Sequence, residues 1–294
     1  MSVRVRPWRA QDAPAVAALS ARLAAPDPGW TPAQAASRLT GDVYAHGRDV
    51  AVAVRDEEVV GLLAAVTAPP WMFVWPMWTD HRPAADALLE WAVALARTHG
   101  VTGMRMSCPP HQAVKLEAIT ALGFVHTDDF LRVVRSVDRE PDPGPPPPGT
   151  RWTGVGRGER EVFRRIYNDV FEGHPHSVPI SGDDLDGLMD GDEAWPGATG
   201  MLRDGAGRPT AFVFGLRTDA GGTVEGIGTV RQARGRGLAR WMLLRTLAVA
   251  AAEGMGEVEA LILSSNAASL ALHRGRGFRD TDRKPMYELR VPAP

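Results

Sequence analysis

The sequence predicts an α/β chain built as two copies of one domain, and three observations carry that expectation. Strand-like runs alternate with Ala/Leu-rich stretches of helical length. Residues recur at a fixed offset of 154. A proline-rich seam divides the chain near its middle. At 294 residues, two domains of about 150 fit the ordinary size range, each able to bury a core.

In the first copy, Val3–Arg6 alternates like an opening strand, Pro14–Leu23 and Pro32–Leu39 read as helices, and Val50–Arg55 and Val59–Val66 read as strands. The aromatic run Trp71–Trp78 precedes an Ala/Leu-rich helix, Ala84–Arg97, and Phe130–Val137 reads as a closing strand. In the second copy, Glu161–Phe171 and Asp183–Met189 are helical, and Ala211–Arg217 and Thr223–Val230 are strand-like. A helix follows from Leu238 to Glu253, with few breakers. Val258–Ser264 is a short strand, Ser269–Arg274 a short helix, and Met286–Val291 the last strand.

The repeat is gapless over its second half. Gly123-Phe124-Val125-His126-Thr127-Asp128 matches Gly277-Phe278-Arg279-Asp280-Thr281-Asp282, and the same offset lays Gly100 on Gly254, Leu116 on Leu270 and Ala84–Arg97 on Leu238–Ala251. The seam, Arg139–Gly149, holds four consecutive prolines and is extended and semi-rigid. The expected division is therefore a first domain at 1–138, a linker at 139–150 and a second domain at 151–294.

Composition excludes several classes. The net charge is −2, with both signs spread along the chain, so nucleic-acid and anionic-membrane partners are not expected. The single cysteine, Cys108, rules out an internal disulfide and favours a reducing, cytoplasmic compartment. No apolar run is long enough to cross a bilayer. The scarcity of lysine beside abundant Arg, Ala, Gly and Pro is the composition of a GC-rich bacterial gene. A monomer or homodimer is expected.

Gln232-Ala233-Arg234-Gly235-Arg236-Gly237 lies between the strand ending near Val230 and the helix opening at Leu238-Ala239. Glycines there admit a close ligand, because no Cβ blocks the backbone. Amides of the turn and of the first helical turn converge with the helix dipole on one point, where a phosphate would be held. Arg234, Arg236 and Arg240 add positive charge. No Gly-Lys-Ser/Thr follows, and no third glycine completes a dinucleotide fingerprint. In the first copy, Gln232, Gly235 and Gly237 correspond to Trp78, His81 and Pro83, and Asn266 to Gln112, so that copy keeps the scaffold and loses the cradle.

The pattern Gln/Arg-x-x-Gly-x-Gly/Ala after a strand, followed downstream by Asn266-Ala267-Ala268, a short helix and Gly277-Phe278, resembles the acyl-CoA signature of the GNAT acyltransferases over roughly residues 155–291. The resemblance implies tandem domains, each a central, mostly antiparallel sheet flanked by helices, in a layout similar to that of the mycothiol synthases. It implies acetyl-CoA or another acyl-CoA as co-substrate. The contacts would come from Gly228, Thr229, Val230, Gln232, Ala233, Arg234, Gly235, Arg236, Gly237, Leu238, Ala239, Asn266 and Ser269. It also implies transfer of a small acyl group to an amine of a small molecule.

Acyl transfer to an amine needs a base, and Glu225 is the candidate, placed by period-two alternation on one strand face with Ile227 and Thr229. Where the family usually carries a tyrosine acid, this chain has His273, able to protonate a leaving thiolate or to meet a CoA phosphate. His174 and His176 follow the helix ending at Phe171 and are candidate substrate contacts. Their spacing would suit two metal ligands, but no third follows at recognisable spacing, so no metal is expected. Two other readings stand beside the enzyme: a non-catalytic acyl-CoA sensor, motivated by the missing tyrosine, and an enzyme using a different donor such as aminoacyl-tRNA.

Overall fold

A computed structural model describes residues 3–25 and 29–291. The chain forms two compact units: residues 1–129 with 284–294, and residues 130–283.

The first unit opens with β1 (Arg4–Pro7), α1 (Ala13–Leu23) and α2 (Pro32–Leu39). It continues through β2 (Val50–Arg55), β3 (Glu58–Ala68), β4 (Trp71–Trp78), α3 (Arg82–Thr98), β5 (Gly103–Ser107) and α4 (Ala113–Leu122). β1 to β4 pair antiparallel in chain order, and β4 runs parallel to β5. A single parallel step requires a crossover, which α3 supplies. Its face of Leu88, Leu89, Ala92 and Ala96 buries against Ala51, Leu63, Met72 and Met77. Truncating one of these leucines to alanine costs about 2–5 kcal/mol.

The second unit contains β6 (Val125–Ser136) from residue 130 onward, then β7 (Thr150–Gly154), α5 (Arg160–Phe171), α6 (Gly182–Asp190), β8 (Gly200–Asp204), β9 (Pro209–Thr218) and β10 (Gly221–Thr229). It closes with α7 (Leu238–Ala252), β11 (Glu257–Leu263), α8 (Ala267–Arg274) and the start of β12 (Arg279–Arg290). β7 to β10 pair antiparallel, and β10 runs parallel to β11. The sheet separates two cores. Met242, Leu243 and Leu247 of α7 pack on Val213, Val224 and Val258, and Phe163 and Ile166 of α5 pack with Met201, Phe212 and Phe214.

The repeat holds in three dimensions. β5 and β11, α4 and α8, and β6 and β12 each begin 154 residues apart. Gly123 and Gly277 both take positive φ, at 96° and 86°, where a residue with a Cβ is strained, and each is followed by a buried phenylalanine. The strand expected to close the first copy behaves differently. Residues 130–136 of β6 pair with β11 in the second unit, and residues 286–290 of β12 pair with β5 in the first. The units therefore divide at 129/130 and 283/284, whereas composition places the boundary at the prolines. The seam packs on the second unit: Trp241 Nε1 donates to the Gly144 carbonyl at 3.1 Å, and Arg236 to that of Pro148 at 3.4 Å.

Candidate active site

The site lies where β10 and β11 part. These strands pair only from Gly221–Thr223 to Glu257–Glu259, while β10 stays paired with β9 through Thr229. From Val224 onward the β11 side of β10 carries no ladder, which leaves main-chain groups able to pair with an extended ligand. The Val230 N–H donates to the Thr210 carbonyl on the β9 side, so by alternation it is Ile227 and Thr229 whose amides face the open edge. Of the trio Gly228, Thr229 and Val230, Thr229 alone meets that edge, and Arg234 Nε reaches its carbonyl at 3.3 Å.

At the end of β10 a short turn, Arg231–Ala233, leads into the glycine loop. Ala233 is buried, and its N–H donates to the Val230 carbonyl at 2.9 Å. Gly235 and Gly237 both adopt φ of 76°, and nothing lies within 4 Å of where a Cβ would project. Gly237 caps α7 without any side-chain cap, and its carbonyl accepts the Trp241 N–H. Among the described residues, the main-chain N–H groups of 235–240 have no protein acceptor. Six successive uncapped donors at the positive end of a 15-residue helix are suited to holding an anion. Gln232, Arg234, Arg236 and Arg240 line it with exposed side chains, Ala239 is half-buried, and Leu238 anchors the loop in the core.

Glu225 occupies a β-bulge, since the β9–β10 register shifts between Val224 and Gly226. Gly222 and Val224 face the α7 core, but beyond the bulge Gly226 and Gly228 face α5, where a Cβ on Gly226 would meet Tyr167 at 3.0 Å and one on Gly228 would meet Val170 at 2.5 Å. Ile227 packs on the α7 side. Glu225 is the extra residue between these two patterns, and its charge is felt by Tyr167 of α5. Its side chain is open to solvent, yet protein crowds it from several sides, as on the floor of a depression. That crowding, and after it the charge of Glu193, push its carboxyl above the ordinary carboxylate range.

His273 sits in the core. It is 1 % exposed, packs edge-on against Phe278 at 5.0 Å, and its Nδ1 lies 2.9 Å from the Ser269 carbonyl. Nε2 is buried with no partner among the described residues. Burial pulls its pKa down, so the ring is neutral near pH 7, and its offset partner is the fully buried Ile119. Asn266 caps α8, its Oδ1 accepting the Ser269 N–H at 3.1 Å. His174 stacks edge-on with Phe171 at 5.8 Å and His176 with Phe130 at 6.1 Å.

Sequence reasoning missed Tyr167. Its half-buried ring lies over the bulge, held by Phe171, Phe212 and Phe214 at 4.8, 5.3 and 6.2 Å. Burial, and then the Glu225 charge, raise its pKa, so the phenol stays protonated. Helical spacing made it look like ordinary core, and only the bulge brings it beside Glu225.

The site thus combines a forked parallel step, an acidic residue at a bulge and an uncapped glycine loop. Residues 162–278 match the acetyltransferase (GNAT) family. It is similar to a mycothiol acetyltransferase of Clavibacter michiganensis subsp. michiganensis, 30% identical over 141 residues, which span 46% of this chain and 44% of that relative. Its fold is that of a GCN5-related N-acetyltransferase from Sphaerobacter thermophilus (TM-score 0.68, 19% identity, 99% and 97% of the two chains). It also matches a tandem GNAT protein from the clavulanic acid biosynthesis pathway (TM-score 0.64, 16% identity, all of both chains). Among the described residues, no helix is long and apolar enough to cross a membrane.

Proposed function

We propose that the second unit transfers an acetyl or other small acyl group from CoA to an amine of a small molecule, in a cytoplasmic, bacterial setting, and that the first unit is a degenerate copy serving as scaffold. The observation that carries this reading is the row of uncapped N–H groups at residues 235–240. These would hold the CoA diphosphate, with Arg234, Arg236 and Arg240 adding charge. The open edge at Ile227 and Thr229 would pair with the extended pantetheine arm. Bound there, acetyl-CoA supplies an acyl carbon activated as a thioester, and N-acylation exchanges its C–S bond for a C–N bond.

Glu225 is the base. A carboxyl held above its ordinary range retains a proton more strongly, which improves proton abstraction near neutrality. His273 is neutral and enclosed, with Nδ1 facing the Ser269 carbonyl, and makes a poor acid for the departing thiolate. The crowding of Glu225 and the charge of Glu193 favour a cationic amine as the arriving group.

Calorimetric titration of CoA, followed by thiol release from acetyl-CoA over a panel of small amines, tests the reading. Micromolar CoA binding with amine-dependent thiol release is expected. Binding without release from any amine supports the sensor in its place, and no CoA binding removes both.

A further inference from the structure

We propose that Tyr167 is an acceptor-binding residue: its phenol oxygen and the Glu225 carboxylate together take two N–H bonds of the incoming ammonium group. The inference rests on the acyl-transfer reading and assigns the amine end of the same site.

Three features place the pair. Glu225 sits in the bulge at Val224/Gly226, close enough to α5 for its charge to act on Tyr167. Gly226, the next residue, has no side chain, and Tyr167 fills the space in which a Cβ would stand, with Cε2 3.0 Å from that point. Three aromatic neighbours fix the ring. The hydroxyl position is thus set by packing and costs little ordering when a ligand arrives. The hydroxyl has no hydrogen-bond partner among the described residues, and neither has the Glu225 carboxylate. A phenol oxygen packed at Gly226 and the carboxylate of the preceding residue, one neutral and one anionic, match an ammonium, which carries several N–H bonds. An alcohol or thiol has a single hydrogen and could donate to only one of the two. Loss of one such charge-assisted bond is worth about tenfold in binding.

The test uses the full chain with acetyl-CoA and three probe amines: benzylamine, 1,4-diaminobutane and glycinamide. Tyr167→Phe keeps the ring and removes the oxygen. It is expected to raise the amine KM about tenfold, leaving kcat within threefold and the acetyl-CoA Kd unchanged. A second readout needs no turnover. With ring-13Cζ tyrosine, the three tyrosines give three resonances, assigned by single Phe replacements at Tyr44, Tyr167 and Tyr287, and the Tyr167 signal alone should move when amine is added to the CoA complex. An unchanged KM in Tyr167→Phe, or a Tyr167 resonance unmoved at saturating amine, overturns the inference and leaves acyl transfer standing. CoA binding without turnover of any amine sinks acyl transfer itself, and this assignment with it.

Discussion

The two copies share a scaffold and differ in what they leave unbonded. At the helix opening of the second unit, Gly235 and Gly237 sit at φ of 76° and six N–H groups have no acceptor among the described residues. At the matching place in the first unit, the His81 carbonyl accepts the N–H groups of Ala84 and Ala85, the His81 N–H donates to Thr79 Oγ1, and Pro83 has no N–H at all. Both helices dock on their sheets through similar apolar faces, so packing alone does not separate a binding unit from a scaffold. The lesson is that function here is written in unsatisfied backbone donors, and a fold comparison that ignores them sees two equal domains.

The largest effect comes from erasing that difference. Gly235→His together with Gly237→Pro gives the second unit the residues of the first. CoA affinity should fall roughly a hundredfold or more, since several charge-assisted bonds are lost together and proline cannot hold the φ of 76° at Gly237, so the loop rearranges, while the far-ultraviolet circular dichroism retains most of its helical signal. Calorimetry that finds CoA still bound would break the comparison. Glu225→Gln comes next. It should lower kcat by about 10²- to 10⁴-fold and leave the CoA Kd unaltered. The carboxyl must be ionised to act, and its pKa is raised by crowding and by Glu193, with Tyr167 beside it. The wild-type rate should therefore fall with decreasing pH at a value above the ordinary 4.5, and the Gln variant should lose that limb. The same shift means that the fold tolerates ionised Glu225 less well than the unfolded chain does. Its stability contribution is present at low pH and lost as pH rises through the folded value, so the variant should melt higher at pH 8.

Much of this was legible in the residues. The glycine loop, the offset and the long helix α7 are strong local signals, and Val50–Arg55 matches β2 residue for residue. The short strands β5, β7 and β8 were not, because Gly103–Ser107, Thr150–Gly154 and Gly200–Asp204 are five residues each and mix glycine, arginine and apolar side chains. Their partners, not their propensities, make them strands. The bulge at Glu225 escaped for a related reason. Period-two counting assumes an unbroken ladder, and one extra residue reassigns every side chain beyond it. The destination of β6 and β12 was equally hidden, since residues 125–136 and 279–290 have the same register within the repeat and the sequence does not state which sheet each one joins.

The third contrast sets His273 against Ile119. Both occupy the same turn of the last helix and both are buried, but one carries an unpartnered ring nitrogen. His273→Ile should leave kcat within about twofold and remove a pH-dependent weakness. The folded pKa is depressed by burial, so on unfolding the ring takes up a proton that the fold refuses; wild-type stability drains away as pH falls below 6.5 toward the lower folded value. Urea midpoints at pH 7.5 and 5.5 should diverge less in the variant. A kcat reduced a hundredfold at pH 7.5 would instead return His273 to the acid role.

The smallest effect sharpens the comparison from the other side. Trp75 stands at the offset position of Thr229, on the strand that in the second unit offers its open edge, and its ring is 54 % exposed. Its main chain is committed: the Trp75 carbonyl accepts the Tyr44 hydroxyl at 2.7 Å. Trp75→Ala removes the ring and spares that bond, so stability should change by less than about 1 kcal/mol, and the amine KM should stay put. If the first unit is scaffold alone, both hold, because nothing the ring touches takes part in binding. A KM that rises while the melting temperature is unmoved would mean that an exposed aromatic of the degenerate copy contacts the acceptor, and the division into a working unit and a supporting one would no longer describe this chain.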